Sequence, residues 1–314
     1  MAITTQTMKN ICLLDGGTGQ EIYKRSKKPA HPLWSAKVMI DRPNIVKEVH
    51  KDFLKAGARI LTINSYTVTP TRLRRDGEVE WFQKLQLQAT EIALNARDEL
   101  GSITEDVQIA ACLPPLTGSY VPDERSFAEI KQEYEQIVAL QEPIVDLFLI
   151  ETIASIKEAK AASEAALESG KTVYLSFTLS DRQPNQLRSG ESIHEALNAM
   201  IGYSLDAILF NCSFPETITK GMKSLQHLNI PFGGYANGFT TVEPLKPGET
   251  VGQLSARSDL DEEKYASHVM EWINVGASIV GGCCEVGPSH IEHLHKRIEE
   301  EVYGIVSSQK ISQS

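Results

Sequence analysis

Cysteine is scarce in this chain, with five among 314 residues: Cys12, Cys112, Cys212, Cys283 and Cys284. An odd number at wide spacings argues against a stapling disulfide framework and fits free thiols or metal ligands in a reducing compartment. Long apolar runs are missing too, and nothing reaches the ~18 consecutive apolar residues of a membrane span. The opening MAITTQTMKN has no apolar core of a secretory signal, so a cytoplasmic protein is expected. Positive charge is in deficit, 31 Lys and Arg against 41 Asp and Glu, for a net charge of −10. That balance argues against nucleic acid as the main partner and against an anionic membrane surface. The Gly-rich turn DGGTGQE is not GxGxxG and is weak support for a dinucleotide site. Histidine is absent at ligand spacing from the cysteines. His290, His293 and His295 fall on the closing helix and read as a solvated face, His50 as helix surface or packing, and His31 as a loop residue.

What is present is alternation. Short β-rich apolar runs recur: ICLLDGG, RILTINSY (59–66), VQIAACLPP (107–115), LFLIETI (147–153), TVYLSFT (172–178), AILFNCS (207–213), FGGYAN (232–237) and SIVGGCC (278–284). Helix-period stretches lie between them, among them NIVKEVHKDFLKAGA, WFQKLQLQATEIALNARDELG and SFAEIKQEYEQIVALQE. Near-continuous apolar runs are those of parallel strands buried on both faces. Eight such strands joined by helices predict an α/β protein, a single-domain (β/α)8 TIM barrel over residues 1–304. An open doubly wound sheet is the rival. The tail 305–314 is expected to be disordered.

Polar and reactive residues collect at the C-terminal ends of these runs: Asp15, Asn64 and Ser65, Glu151 and Thr152, Ser176, Asn211 and Cys212, Asn237, then Cys283 and Cys284. In a barrel those ends converge on one mouth, where active sites lie. Cys212 ends the sixth run and the Cys283–Cys284 pair the eighth, so their backbones should stand about 10 Å apart across strand seven. Three readings stand for the three cysteines. They are buried core thiols, a strained vicinal disulfide at Cys283–Cys284, or a three-sulfur zinc site with one coordination position open, as catalytic zinc has. Their convergence on one rim favours the metal. Gly281 and Gly282 support it, because they let the backbone turn and approach closely where two consecutive side chains must face one ion. Cys12 and Cys112 lie inside runs and read as small core residues.

The chain resembles the homocysteine S-methyltransferase family, zinc-dependent barrels that include S-methylmethionine-, betaine- and folate-dependent enzymes. LLDGGTGQE (13–21), HPLWSAKV (31–38), TINSY (62–66), ETI (151–153), SFT (176–178), NCS (211–213), YAN (235–237) and GGCC (281–284) carry the likeness in order along almost the whole chain. The WSA segment and the length look most like the short single-domain enzymes that use S-methylmethionine. The resemblance implies Cys212, Cys283 and Cys284 as zinc ligands, and Asp15, Gly16 and Glu151 as residues that hold the amino acid substrate. Where the family carries a hydroxyl or amide cluster after strand two, this chain has Asn64, Ser65 and Tyr66, and the resemblance makes Asn64 and Ser65 candidates for binding the substrate. The third-strand loop CLPPLTGSYVPD departs from the more usual Gly-Pro-Tyr-Gly-type segment. No cobalamin- or folate-binding module is expected after the eighth helix.

The chemistry that follows is transfer of a methyl group from a small onium donor, S-methylmethionine foremost, to the thiolate of homocysteine or a selenium analogue. A free thiol is only slightly ionised at neutral pH, and binding to a metal deprotonates it. Asp15 and Glu151 would pair with the substrate ammonium. Asp15 before Gly-Gly also fits a plain turn. Glu151 at the end of an apolar strand is harder to explain without a partner, because a buried lone carboxylate is costly. Trp34 would cover a sulfonium through cation–π contact or simply pack. Asn237 would bond the substrate carboxylate or orient a neighbour. The loop 181–192 reads as a solvated βα loop or a mobile cover over the mouth. A monomer or small homo-oligomer is expected. The alternatives are a zinc hydrolase using metal-bound water, against which sulfur-only ligation argues, and a non-catalytic zinc store or thiol redox protein.

Overall fold

Runs that are apolar on both faces must be covered on both faces, and a ring of parallel strands inside a ring of helices does this. The computed structural model describes residues 10–183, 185–301 and 303–311. Eight of its strands form the ring: β1 (Asn10–Leu13), β2 (Ile60–Thr62), β3 (Gln108–Leu113), β4 (Leu147–Ile153), β5 (Thr172–Phe177), β6 (Ala207–Asn211), β7 (Phe232–Tyr235) and β8 (Ile279–Val280). From β2 to β8 each pairs in parallel with the next, and β8 returns to β1 through Cys12–Ile279 and Leu13–Val280. The ring closes where Leu14 bridges Ile60, with Arg59 N donating to Leu13 O at 2.7 Å and Asp15 N to Ile60 O at 3.0 Å. The expected single-domain TIM barrel is therefore the architecture observed.

Two apolar layers result. Cys12, Leu14, Ile60, Leu149, Leu209 and Tyr235 fill the barrel interior, while residues such as Phe53, Ile109, Phe148, Phe177 and Trp272 seal strands against helices. Helix starts are set by capping side chains, as at Ser126 with Glu129 and Ser192 with Glu195, where each Glu reaches back to its cap. The long helices fall where their period placed them. Short ones, Thr18–Ser26, Trp34–Asp41, Pro70–Asp76 and Pro215–Met222, occupy stretches that carried too few apolar repeats to be read.

Two expectations need correction. The eighth run is a two-residue strand, because the chain leaves the ladder at Gly281 and is then held from both sides: Gly282 N donates to Asp15 O (3.0 Å) and Cys283 N to Ala236 O (2.9 Å). Residues 305–311 are not a frayed tail. A ninth strand, β9 (Gly304–Ile305), pairs in parallel with the start of β1. Ser308 N donates to Gln108 Oε1 at 3.0 Å, and Ile311 packs among the barrel-interior residues at the end opposite the mouth. The apolar residues of GIVSSQKIS are sparse along the chain and gain meaning only against the barrel floor. The expected domain start at residue 1 and the last tail residues, 312–314, lie outside the described residues.

Candidate active site

The mouth of the barrel opens into a cleft of about 1130 Å³, open solvent included. Its base is built from strand ends. Asn211 makes much of the frame: its Oδ1 accepts from Thr152 N (2.9 Å) and Ser176 Oγ (2.9 Å), and its Nδ2 donates to Thr152 Oγ1 (2.8 Å). These bonds hold Thr152 in the left-handed region at φ 62°, a conformation that costs a β-branched residue on the order of 1–3 kcal/mol unless its surroundings enforce it. Glu151 is thereby aimed inward.

Cys212 follows directly, also left-handed at φ 49°. That turn out of the strand brings its sulfur to Cys283 Sγ at 2.8 Å. The reactive atoms of Cys212, Cys283 and Cys284 all lie within 4.8 Å of one another, and all five cysteines are free. Burial opposes ionisation of Cys212, but hydrogen bonds from Cys283, Cys284 and Tyr120, with the Arg188 charge, outweigh it and hold this thiol well below its ordinary range. Cys283 and Cys284 are pushed well above theirs, chiefly because each donates to Cys212. A soft cation suits this donor set, since three sulfurs converge without backbone rearrangement and two protons remain to be displaced on binding.

The glycines act through closeness rather than left-handed φ. A Cβ on Gly282 would lie 2.2 Å from Val286 Cγ1, one on Gly281 2.6 Å from Leu14 Cβ, and one on Gly17 2.4 Å from Cys283 O. The ends of β1 and β8 interlock there. Positive φ is instead carried by Cys212 and by Glu285, at 68°.

Two buried acids share the cleft. Asp15 is 4% exposed and accepts from Thr62 N (2.8 Å), Thr62 Oγ1 (3.2 Å) and Thr18 Oγ1 (3.3 Å). Burial outweighs those bonds and lifts its carboxyl to about 7. Glu151 receives a hydrogen bond from Cys112 Sγ at 2.9 Å. Burial, with the charges of Asp15 and Cys212, lifts it to about 8. Cys112 is thus a cleft residue beneath an acid, whereas Cys12 stays a barrel-interior thiol that burial pushes up to about 12.

Gly16, Trp34 and Asn64 line the cleft as well. Trp34 meets Tyr66 edge to face at 6.2 Å. Ser65 and Asn237 do not line it. Ser65 Oγ faces Gln141 Nε2 (3.4 Å), and Asn237 Oδ1 accepts from Phe239 N (3.0 Å) to shape the turn after β7. Among the histidines only His31 reaches the cleft. His50 is fully buried and held neutral, pulled down to about 4, and His290 packs edge-on against Tyr265.

Tyr120, Arg72 and Arg188 were missed as site residues. Tyr120 OH lies 3.0 Å from Cys212 Sγ, and the Arg188 guanidinium stacks on its ring at 4.8 Å. Arg188 is itself fixed by Asp181 at 2.6 Å in a buried pair. The loop that carries it is pinned to the barrel through Ser189 N to Ala154 O and Ile156 N to Glu191 Oε2, so it buttresses the cysteines. The one signal for Tyr120 was the unusual third-strand loop, in which nothing distinguished the tyrosine from a surface residue.

Fold and site together define a TIM-barrel enzyme with a cluster of converging thiols at the catalytic end of its strands. The family model described as homocysteine S-methyltransferase matches residues 12–298. The chain belongs to that family and is a methyltransferase. Homocysteine S-methyltransferase of Escherichia coli (strain K12) is 28% identical over 312 residues, covering 92% of this chain and 96% of the relative. Selenocysteine Se-methyltransferase of Brassica oleracea var. italica is 26% identical over 310 residues, covering 91% and 88%. The crystal structure of the metallated form of the homocysteine methyltransferase MmuM from Escherichia coli superposes with a TM-score of 0.76 at 25% identity, covering 91% of this chain and 96% of that one.

Proposed function

We propose that this protein is a zinc-dependent homocysteine S-methyltransferase whose donor is a small sulfonium, S-methylmethionine first among them. The observation that carries the reading is the convergence of Cys212, Cys283 and Cys284 in one cleft with two buried acids. A relative solved in a metallated form supports a metal, and an all-sulfur donor set supports zinc. When bound, zinc supplies the Lewis acidity that keeps an acceptor thiol ionised at neutral pH.

The chain's own residues do the rest. Asp15 and Glu151 bind the acceptor's ammonium and so fix its sulfur near the cysteines. Both rest with raised values, at about 7 and about 8, and each gives up its proton as the cation arrives. Trp34 and Tyr66 offer aromatic faces to the donor cation. In the transfer a new S–CH3 bond forms on the acceptor and the donor's S–CH3 bond breaks, leaving the donor a neutral thioether. With S-methylmethionine both products are methionine. The cleft's apolar wall, including Leu149, Phe239 and Val251, limits water near the reacting sulfur.

Hydrolysis fits less well, because no histidine or carboxylate belongs to the thiol cluster among the described residues. Relatives named for selenocysteine make a selenol acceptor the second reading. A cytoplasmic location fits five free thiols, and no helix among the described residues is long and apolar enough to cross a membrane.

The test supplies zinc, a reductant, homocysteine and S-methylmethionine, and measures methionine. Parallel reactions carry S-adenosylmethionine or betaine as donor and selenocysteine as acceptor. Two methionines per S-methylmethionine consumed is the expected result. Stoichiometric zinc with no product from any onium donor would overturn the reading.

A further inference from the structure

Arg72 stands apart among the buried cations. It is 6% exposed and lines the cleft. Other enclosed arginines face carboxylates: Arg188 pairs with Asp181 at 2.6 Å, and Arg125 with Asp123 at 2.7 Å and Glu133 at 2.6 Å. Arg72 has no ion-pair partner among the described residues. Its Nε and Nη2 donate to the neutral carbonyl of Pro115 at 3.2 and 2.9 Å, and Nη2 reaches Ser119 Oγ at 3.5 Å. Nη1 makes no hydrogen bond among the described residues. The charges of Glu158 and Asp76 act on it only from beyond ion-pair distance, and an enclosed guanidinium without a direct carboxylate partner is costly, its planar fork being shaped to receive one. Arg75, on the same wall, is already engaged by Asp76 at 2.6 Å and Thr117 O at 2.6 Å.

Tyr66 relates Arg72 to the rest of the cleft. The guanidinium caps its ring at 5.3 Å, Trp34 meets the ring edge-on, and its hydroxyl bonds Ser119 Oγ at 2.9 Å. Cys212 and Glu151 also lie within electrostatic reach of Tyr66. Among the buried groups of the cleft, Asp15, Glu151 and the thiols lie at the strand ends, while Arg72 caps Tyr66 with Trp34 at that ring's edge. A sulfonium beside those rings would turn its methyl toward the thiols and its remaining chain toward Arg72.

We propose that Arg72 anchors the carboxylate of the methyl donor, so that the enzyme selects onium donors carrying a carboxylate. This rests on the methyltransferase reading above. Arg72 forms a charge-assisted pair with the donor carboxylate through Nη1, Ser119 adds a hydroxyl, and the Pro115 carbonyl fixes the plane of the fork.

The test compares S-methylmethionine with its carboxamide, in which only the carboxylate is neutralised. With the unaltered enzyme the amide should show a kcat/KM lower by roughly 10- to 100-fold, the loss expected for a charged hydrogen bond. In Arg72→Gln the KM for S-methylmethionine should rise by a similar factor, while KM for the amide and for homocysteine stay put. Arg72→Lys should recover part of the loss. Equal use of both donors by the unaltered enzyme overturns the proposal whether or not the variants fold. So does a rise in homocysteine KM alone in Arg72→Gln, which would give the anchor to the acceptor. Calorimetric binding of the two donors is read independently of turnover. Tighter binding of S-methylmethionine without methionine formation would sink the methyltransferase reading and keep the anchor.

Discussion

At Cys212 a left-handed backbone, a short contact to Cys283 and a hydroxyl from Tyr120 all meet on one sulfur. Removing that sulfur leaves two donors, too few to hold zinc against a competing chelator. Cys212→Ala should therefore take metal content, read by plasma emission after dialysis, from about one zinc per chain to near zero and abolish turnover. Full zinc occupancy in that variant would refute the ligand assignment. Glu151 makes a second residue-scale prediction. Its carboxyl sits at about 8 in the free protein, so it is protonated at pH 6. A bound ammonium favours the ionised form, so binding expels the proton and affinity rises with pH toward 8. Methionine has the same ammonium and no thiol to titrate. Its Kd should tighten by at least ~10-fold between pH 6 and 8, and Glu151→Gln should flatten that slope. An unchanged slope in the variant would remove Glu151 from the ammonium site. The direction for stability is opposite. Between its unfolded value of 4.5 and about 8 the folded chain holds the extra proton, so ligand-free stability falls as pH rises through that window.

At the scale of elements, strand ends and the loops between them place the chemistry. The end of β1 and the Cys283–Cys284 turn pack so closely that each constrains the other. A methyl group on Gly17 would press on the Cys283 carbonyl at 2.4 Å, which is backbone and has little room to yield. Gly17→Ala should weaken zinc affinity by about 10-fold or more and cost about 1–3 kcal/mol of stability as overpacking, measured by chelator competition and by urea unfolding. Retention of wild-type zinc affinity would mean the turn is set from the β7 side alone. The same scale explains which site residues could be read in advance. That Asp15, Glu151 and the three cysteines face the cleft was legible because each is a costly or reactive group at the end of an apolar run. Ser65 and Asn237 lie off the cleft because both sit past the ends of their strands, where remote contacts aim the side chain: Ser65 turns to Gln141, and Asn237 bonds Phe239 N.

For the molecule as a whole, the two ends of the barrel divide their work. The mouth carries the reactive groups, and the other end is closed by β9 and the helix Ser308–Ile311, with Ile311 packed into the interior. Deleting residues 304–314 would uncover that floor and strip β1 of its β9 partner. The loss should be about 2–5 kcal/mol, the cost of removing buried Ile311 and the half-buried Ile305 and Val306. The urea midpoint should drop while KM for both substrates stays within about 2-fold, since the floor lies far from the mouth. A large rise in KM with stability unchanged would show that the tail acts on the site instead.

Taken by itself, the sequence determined the order of strands and helices, the closed ring they make, and the trio of cysteines brought to one rim. Each of these follows from local pattern: apolar runs, helical period and reactive residues at run ends. Tertiary structure alone decided that Tyr120 and Arg188 back the cysteines, that Arg72 faces the cleft without an ion-pair partner among the described residues, that Cys112 lies under Glu151, and that a polar-looking tail closes the barrel floor. Those facts depend on which side chains meet across long separations in the chain. A backbone that has left its ladder can aim a side chain either way until a remote segment packs against it.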